Sequence, residues 1–255
     1  MTRPSPTLLH APEPAQEHGD RVILVHGTLD RSSGFRRVAA ALPAWTVLSW
    51  DRRGWGGSRP LGDPADTLEV HVGDLGALLA ETPGAIVAGH SYGGVVALAA
   101  AARWPDRVRA VVAFEPPLRW LPWWPDEAPW DRLAGAADSP PAAVEALLRA
   151  VLGEDRWRRL PAASRAQLVE HGAVALTEMA DASLDEPAFD PLELEVPVLA
   201  AAGSASLPHH QDVPRRLAAL VPRGAYVTIE GASHIAHVTH PAQFAALVTS
   251  AAGIT

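Results

Sequence analysis

The sequence contains no cysteine and no lysine, and these two absences exclude several kinds of chemistry. Without cysteine the chain can form no disulfide, no thiolate nucleophile and no cysteine-ligated metal site. All 21 basic residues are arginine, so an enzyme that forms a Schiff base on lysine is excluded as well. The lack of cysteine is compatible with any cellular compartment and therefore does not locate the protein.

Long apolar runs and an excess of positive charge are also missing from the sequence. No window is long and apolar enough to span a bilayer, and residues 1–19 contain no apolar stretch typical of a signal peptide. We therefore expect a soluble cytoplasmic protein without a membrane partner. The formal net charge is −8, which argues against nucleic acid as a partner. The sequence carries no indication of an oligomeric state.

The residues that are present are typical of one globular α/β domain, with 48% hydrophobic and 20% charged residues in a chain of 255. Six short apolar runs predict buried strands: residues 21–25, 46–50, 85–88, 108–114, 196–202 and 225–229. Helical patterns lie between them, at residues 35–42, 67–81, 92–103, 211–220 and 241–252. This alternation predicts a mostly parallel central sheet with helices on both faces.

Residues 118–190, hereafter the inserted segment, interrupt this alternation. They follow the fourth predicted strand, open with a run of proline and tryptophan, and contain helical patterns at residues 142–152 and 164–179. We interpret them as a helical lid inserted into a core formed by residues 1–117 and 191–255. The segment holds 13 acidic residues against 7 arginines, a net charge of −6, and the acidic residues are most simply a solvated helix face.

The strongest chemical signal is a G-x-S-x-G sequence, Gly89-His90-Ser91-Tyr92-Gly93, between the third predicted strand and the helix that follows it. In this context the motif is typical of a nucleophile elbow, a strained turn that holds the serine hydroxyl out at a helix N-terminus. The glycines flank Ser91 because the turn is too tight for side chains there. Ser91 is therefore the predicted nucleophile, and the alternative is a serine in an ordinary strand–helix turn.

A serine hydroxyl is a weak nucleophile until a base removes its proton, and that base is expected to be a histidine late in the chain. His234, on the loop after the last predicted strand, fits best. His237 and His240 compete with it on the same loop. His240 precedes Pro241 at a helix start and is interpreted as structural, whereas His237 is a candidate to line the substrate pocket.

Two backbone N–H groups are needed to stabilise the oxyanion of an acyl-transfer reaction. One is predicted at Tyr92, directly after the nucleophile. The other is predicted at Thr28, in the sequence His26-Gly27-Thr28 after the first predicted strand. Gly27 lets the backbone approach the substrate, and His26 is interpreted as a structural residue that orders this loop.

These motifs, together with the sequence Asp51-Arg52-Arg53-Gly54-Trp55-Gly56-Gly57-Ser58, resemble the α/β-hydrolase superfamily. The resemblance extends from about Arg21 to the end of the chain, apart from the inserted segment. It implies the α/β-hydrolase fold, with the segment after Asp51 mostly architectural. Trp55 stands where a histidine is common in the family and is a candidate to line the substrate pocket.

The resemblance places the catalytic acid shortly after the strand that ends at Gly203, but no carboxylate follows there, and Ser206 stands about where an aspartate is expected. Some members of the superfamily carry the acid one strand earlier. This sequence has Glu115 at that position, an arrangement similar to that of certain lactone-hydrolysing members. Glu115 is the predicted acid and Asp212 is the alternative, in which case Glu115 is only a carboxylate at the rim of the site.

The function predicted from these residues is hydrolysis of a carboxylic ester or lactone through an acyl-enzyme, with Ser91, His234 and Glu115 as the triad. A lyase, a C–C hydrolase or a perhydrolase would use the same three residues, and a non-catalytic ligand-binding protein of this fold is a further alternative. No cofactor is expected. No metal site is expected either, because H-E-x-x-H spacing is absent and the pair His209-His210 stands alone.

Trp120, Trp123 and Trp124 open the inserted segment soon after Glu115, which places them near the mouth of the predicted site. Aromatic side chains there either wall an apolar pocket or only pack the segment onto the core. Since the segment carries a net charge of −6, an anionic substrate would be repelled on approach. We therefore expect a small, neutral and hydrophobic ester or lactone as the substrate.

Overall fold

The computed structural model of the chain describes residues 5–11, 20–61, 68–126 and 128–254. The expectation stated above for a signal peptide concerns residues 1–19, most of which lie outside this part, as does Thr67, the first residue of the second predicted helix. Among the described helices, none combines the length and the apolar character needed to cross a membrane.

Seven strands form one sheet in the described part of the chain. They are β1 (Thr7–His10), β2 (Arg21–Val25), β3 (Thr46–Ser49), β4 (Ala85–His90), β5 (Val108–Phe114), β6 (Val198–Gly203) and β7 (Gly224–Ile229). Their spatial order is β1-β3-β2-β4-β5-β6-β7, and every neighbouring pair is parallel except β1 and β3. Every residue of β4 and β6 is buried, as expected of central strands covered on both faces.

Helices cover both faces of this sheet. The described α-helices are α1 (Arg36–Ala40), α2 (Leu68–Glu81), α3 (Tyr92–Arg103), α4 (Pro129–Gly135), α5 (Pro140–Leu152), α6 (Glu154–Arg159), α7 (Ala162–His171), α8 (Ala173–Met179), α9 (Pro208–Leu220), α10 (Ala236–Thr239) and α11 (Pro241–Ala251). Ile23 and Val25 of β2 join the apolar core formed with α2, α3 and α9, whereas Val22 and Leu24 join the core formed with α1 and α11. This alternation follows from the two-residue period of a strand.

The inserted segment lies between β5 and β6 and forms the helices α4 to α8, with no strand among its described residues. Val144, Leu148 and Trp157 give it a small apolar core of its own. Its opening tryptophans pack against the main core instead. The helical patterns predicted at residues 142–152 and 164–179 therefore correspond to α5 and to α7 with α8.

The predicted α/β-hydrolase fold is confirmed, and all six predicted strands are present. The edge strand β1, which pairs antiparallel with β3, is absent from the sequence-based prediction. It has only four residues, two of them exposed, and therefore offers neither a buried run nor a long alternation. The strand predicted from Val196 begins at Val198, because Pro197 lacks the N–H that a strand ladder needs. Similarly, α9 begins at Pro208 rather than Gln211, since proline is favoured at the first position of a helix.

Candidate active site

Ser91 lies at a sharp turn between β4 and α3, with φ 53° and ψ −125°. A positive φ is costly for a residue with a side chain, so the turn is strained. Glycine is required on both sides of Ser91 because the turn leaves no space for a side chain there. A Cβ at Gly89 would lie 2.2 Å from the carbonyl oxygen of Gly93, and one at Gly93 would lie 2.2 Å from the carbonyl oxygen of Val25. The turn therefore has the shape of a nucleophile elbow with Ser91 at its apex.

Glu115 and His234 meet at the same edge of the sheet. Glu115 directly follows β5 with φ 48°, and His234 lies on the loop after β7. The Nδ1–H group of His234 donates to Oε2 of Glu115 at 2.6 Å. Both side chains line one cavity together with Ser91. The structure thus brings the predicted nucleophile, base and acid to a single site.

Asp212, the alternative acid, has different partners. It lies on α9, where its carboxylate accepts hydrogen bonds from Arg215 and Arg216. It is not among the described residues that line the cavity. The carboxylate that contacts His234 is therefore that of Glu115.

Three further donors surround the Glu115 carboxylate. Its Oε1 accepts from the backbone N–H of Gly203 at 2.8 Å and from the hydroxyl of Ser206 at 2.6 Å, and its Oε2 also accepts from Nδ1–H of His210 at 3.0 Å. Burial raises the pKa of a carboxyl group, but the hydrogen bonds from His210 and His234 hold the pKa of Glu115 well below its ordinary value. Ser206, at the position where the resemblance places an aspartate, therefore supports an acid on the neighbouring strand.

The loop after β2 holds Thr28, the second predicted oxyanion donor. Thr28 and Tyr92 both line the cavity that contains Ser91. A Cβ at Gly27 would lie 2.9 Å from Cβ of Ser91, so the backbone of this loop passes close to the nucleophile. The loop that carries Thr28 therefore lies beside Ser91.

His26 orders this loop, as the sequence analysis interprets it. Its Nδ1–H donates to the carbonyl oxygen of Gly27 at 2.8 Å, and its Nε2 accepts from the backbone N–H of Arg52 at 2.9 Å. Burial and the neighbouring charge of Arg52 lower the pKa of His26 to about 4. A neutral imidazole has one donor and one acceptor nitrogen, and here both are used.

A carboxylate of the inserted segment, Glu178 on α8, is buried against the same loop. It accepts hydrogen bonds from the Arg52 guanidinium at 2.5 and 3.3 Å, from Nε1–H of Trp55 at 2.8 Å and from the hydroxyl of Thr28 at 2.7 Å. Burial raises the pKa of Glu178, but the charge and hydrogen bonds of Arg52, together with His71 and the hydrogen bond from Trp55, lower it to about 2. Glu178 was not predicted as a site residue, because the acidic residues of the inserted segment are most simply interpreted from sequence as a solvated helix face.

Four histidine rings follow one another through the site. Ring centroids are 4.3 Å apart for His237 and His90, 4.8 Å for His90 and His234, and 4.4 Å for His234 and His210. His237 donates through Nε2–H to Asp30 at 2.9 Å, and His90 donates through Nε2–H to the carbonyl oxygen of His234 at 2.8 Å. The Nδ1 atoms of His90 and His237 have no hydrogen-bond partner within the described residues. His90 thereby supports the loop that carries His234.

Two clusters of described residues bring together side chains that metal ions use. They are Asp30 with His90 and His237, and Glu115 with His210 and His234, with ligand atoms within 4.8 Å of one another in each. In the second cluster Glu115 accepts hydrogen bonds from both histidines, at 2.6 and 3.0 Å, and in the first Asp30 accepts one from His237 at 2.9 Å. These hydrogen bonds account for the second cluster and for the Asp30–His237 pair of the first. That the reaction needs no metal and no cofactor stays a prediction.

The cavity has a volume of about 640 Å³, the size of many small-molecule sites. Of the predicted pocket residues, Trp55, Trp124 and His237 line it. Helices α5 and α7 of the inserted segment contribute an apolar wall, made of Leu147, Leu148, Val151, Leu152 and Leu168. The cavity therefore has a polar end, where Ser91 lies, and an apolar side.

Trp120 and Trp123, predicted as pocket residues, are not among the described residues that line the cavity. The ring of Trp120 packs edge-on against Phe189, with centroids 5.3 Å apart. The Arg216 guanidinium lies 5.8 Å from the ring centroid of Trp123. Both side chains instead take the alternative role named above, which is to pack the inserted segment onto the core.

Comparison with known proteins agrees with this fold. Residues 20–241 match the family model described as the alpha/beta hydrolase fold. Over 99 residues the chain is 37% identical to Lipase LipV of Mycobacterium tuberculosis. That match spans 38% of this chain and 37% of the lipase, so the chain matches little more than a third of that protein's length.

Two solved structures share the fold over nearly their whole length. The enol-lactonase from Burkholderia xenovorans has a TM-score of 0.71 and 23% identity, over 97% of this chain and 95% of that chain. The meta-cleavage product hydrolase from Pseudomonas fluorescens has a TM-score of 0.74 and 18% identity, over 97% and 93% of the two chains. At these identities the likeness is one of fold.

Proposed function

The chain belongs to the α/β-hydrolase family, and from this premise we propose that it is a serine hydrolase that cleaves a hydrophobic carboxylic ester or lactone. The observation that carries the proposal is the meeting in one cavity of Ser91, on its strained elbow, with the hydrogen-bonded pair of His234 and Glu115. A nucleophile, a base and an acid that orients the base are the parts of a triad for acyl transfer.

In the proposed reaction, His234 removes the proton of the Ser91 hydroxyl while Oγ attacks the carbonyl carbon of the substrate. Glu115, ionised because of its donors, stabilises the imidazolium that forms. The tetrahedral intermediate then collapses, the bond from carbon to the leaving oxygen breaks, and that oxygen takes the proton from His234. Water activated by the same histidine hydrolyses the acyl-enzyme and restores the serine.

The proposed oxyanion donors are the backbone N–H groups of Thr28 and Tyr92. Tyr92 is the first residue of α3, where the helix dipole favours negative charge. The side chain of Thr28 is held by its hydrogen bond to Glu178, which restricts the loop that carries the donor. Donors fixed before the reaction need little reorganisation when charge develops on the carbonyl oxygen.

The hydrophobic part of the substrate is proposed to lie against the inserted segment, which then acts as a lid. The apolar wall of α5 and α7 and the rings of Trp55 and Trp124 support this placement. The names of the related lipase and enol-lactonase agree with ester or lactone cleavage. The same triad would also serve hydrolysis of a carbon–carbon bond, the kind of activity that the name of the meta-cleavage product hydrolase suggests, so the test must separate the bond types.

The test is turnover of a substrate panel of 4-nitrophenyl esters, aliphatic lactones and a β-diketone. We expect hydrolysis of esters or lactones, with kcat lowered on the order of 10⁴-fold in Ser91→Ala and in His234→Ala, because triad residues act as a unit. The control Ser33→Ala, which removes another hydroxyl from the cavity lining, should change kcat by less than about twofold. Turnover of the β-diketone alone, or Ser91→Ala retaining about a tenth of the rate, would contradict the proposal.

A further inference from the structure

The negative charge of the inserted segment is not concentrated at the cavity. The segment has a net charge of −6, yet of its described acidic residues Glu178 alone lines the cavity, and Glu178 is bound to Arg52. Two of its seven arginines, Arg119 and Arg156, line the cavity as well. The expectation of a neutral substrate rests on the net charge of the whole segment, whereas most of its described acidic residues do not line the cavity.

Three more arginines reach the cavity from the chain that follows Thr28. Arg31, Arg36 and Arg37 are exposed and line it together with Arg156, which is also exposed. Among the described residues, Arg31, Arg36 and Arg156 have no ion-pair partner, and Arg37 donates to a backbone carbonyl oxygen. These side chains are therefore available to an incoming ligand.

The carboxylates that line the cavity are already held by the protein. Asp30 and Glu115 each accept a hydrogen bond from histidine, and Glu178 accepts from Arg52. With histidines counted as neutral, the described lining has five arginines against three carboxylates, a net charge of +2, and one of these arginines, Arg119, is already paired with Asp185 outside the lining. The whole chain carries −8, so the cavity has the opposite sign to the protein around it. Such a site raises the local concentration of anions.

We propose that these arginines bind a carboxylate on the substrate, which makes the substrate a hydrophobic ester or lactone with an anionic group remote from the scissile bond. This inference rests on the proposed function and names the substrate class of that site. Guanidinium groups bind carboxylates through charge-assisted, often bidentate hydrogen bonds. The apolar wall of α5 and α7 would contact the chain between the carbonyl group and the carboxylate.

A matched pair of esters tests the proposal. The 4-nitrophenyl ester of hexanoic acid and the mono-4-nitrophenyl ester of adipic acid have the same six-carbon acyl chain and differ in a terminal carboxylate. We expect kcat/KM to be about tenfold higher for the adipate ester at low ionic strength, and this ratio to fall several-fold in about 0.5 M salt, because exposed charges are screened. Equal values, or a preference for the hexanoate ester, would overturn the proposal.

Variants that remove the charge of single arginines show which side chains cause the preference for the adipate ester. Arg36→Gln combined with Arg156→Gln should lower kcat/KM for the adipate ester about fivefold to tenfold and change it less than about twofold for the hexanoate ester. Arg159→Gln is the matched control, because Arg159 lies on α6 with Arg156 but is not among the described lining residues. Arg159→Gln is compared with the single variant Arg156→Gln. If both lower kcat/KM for the adipate ester equally, the preference arises from the net charge of the whole protein, and the proposed anion site is wrong.

A binding measurement separates this proposal from the proposed function. Calorimetry on the Ser91→Ala protein compares methyl hexanoate with monomethyl adipate, neither of which is consumed. Tighter binding of monomethyl adipate supports the anion site even if the wild-type protein hydrolyses neither nitrophenyl ester, which would contradict only the proposed function. Hydrolysis of the hexanoate ester without tighter binding of monomethyl adipate overturns the anion site and leaves the proposed function standing.

Discussion

At the scale of single residues, the acid of the proposed triad must be buried beside His234 and still be ionised. Burial by itself favours the protonated form of a carboxyl group, whereas hydrogen-bond donors favour the ionised form. Glu115 has four such donors, which are two histidines, one hydroxyl and one backbone N–H group. Two of them, Gly203 and Ser206, come from the end of β6, where the family resemblance places the acid itself. In this chain the acid thus follows β5, and the position after β6 supplies hydrogen-bond donors to it instead of an acid.

Substitution of Glu115 by glutamine tests this assignment. Glu115→Gln keeps the shape of the side chain but removes the charge opposite the imidazolium, so kcat should fall by roughly 10²–10⁴-fold. The matched control is Asp212→Asn, another carboxylate-to-amide change, at a residue paired with Arg215 and Arg216. Steady-state kinetics should show less than about a twofold effect for this control. The opposite ranking of the two variants would assign the acid to Asp212.

At the scale of elements, one buried carboxylate joins α8 of the inserted segment to the loop after β2. The Arg52 side chain is fully buried, and that of Glu178 is 3% exposed. Breaking such a pair by removing one partner leaves an uncompensated charge in the interior. The inserted segment is therefore fixed to the core at this point, beside the proposed oxyanion donor Thr28.

Glu178→Gln should lower the free energy of unfolding by about 3–5 kcal/mol, because Arg52 then stays buried without its counter-charge. Urea denaturation measures this loss. The control Glu170→Gln makes the same change on α7, where the side chain is 74% exposed and 3.9 Å from Arg59, and it should cost less than about 1 kcal/mol. Equal losses in the two variants would mean that Glu178 does not anchor the segment.

Substitution of Trp123 and of Trp124, which are neighbours in the inserted segment, should distinguish a role in substrate binding from a role in packing. Trp124 lines the cavity, so Trp124→Ala should raise KM for a long-chain ester more than for an acetate ester. Trp123 packs on the core, so Trp123→Ala should lower the free energy of unfolding by more than about 1 kcal/mol and affect both esters alike. Kinetics and denaturation of both variants give the comparison. Chain-length selectivity lost in Trp123→Ala and kept in Trp124→Ala would reverse these roles.

At the scale of the whole molecule, the sequence predicts those features that local patterns encode. The elbow at Ser91 follows from a motif in its strand–helix context, and Glu115 follows from the absence of a carboxylate after Gly203. The strand β1 escapes prediction because four half-exposed residues carry no periodic signal. A strand or helix of this core can be predicted where its buried residues form a long run or a regular pattern.

Features that depend on contacts between distant parts of the chain are not encoded in local sequence patterns. Glu178 contacts Arg52 across 126 residues and His210 contacts Glu115 across 95, and no local pattern encodes either contact. The charge of the cavity also depends on the three-dimensional structure. The net charge of the inserted segment predicts repulsion of anions, whereas the arginines that line the cavity give its lining a positive net charge.

Buried neutral histidines should make the stability of the whole molecule depend on pH. Burial lowers the pKa of His26 and His210 to about 4 and that of His71 to about 3, and it holds that of His90 well below its ordinary value. In the unfolded chain such groups titrate near 6.5, so between about pH 6.5 and 4 the unfolded state binds more protons. Stability should therefore fall with decreasing pH, by up to about 1.4 kcal/mol per pH unit for each histidine.

Urea denaturation at several pH values between about 7.5 and 5 measures this slope. His71→Gln removes one of the four histidines. The number of protons taken up on unfolding should then be smaller by about one, so the free energy of unfolding should fall less steeply with decreasing pH. A stability that stays constant from about pH 7.5 to 5 would contradict the burial of neutral histidines.

The central claim is that Ser91 is an activated nucleophile, and covalent labelling tests it most directly. A fluorophosphonate reacts with a serine that a base has activated and leaves other hydroxyl groups unmodified. Intact-mass analysis with peptide mapping should show one adduct per chain, on Ser91, which is absent from Ser91→Ala, strongly slowed in His234→Ala and unchanged in Ser33→Ala. A wild-type protein that stays unlabelled, or an adduct on another residue that persists in Ser91→Ala, would contradict the account.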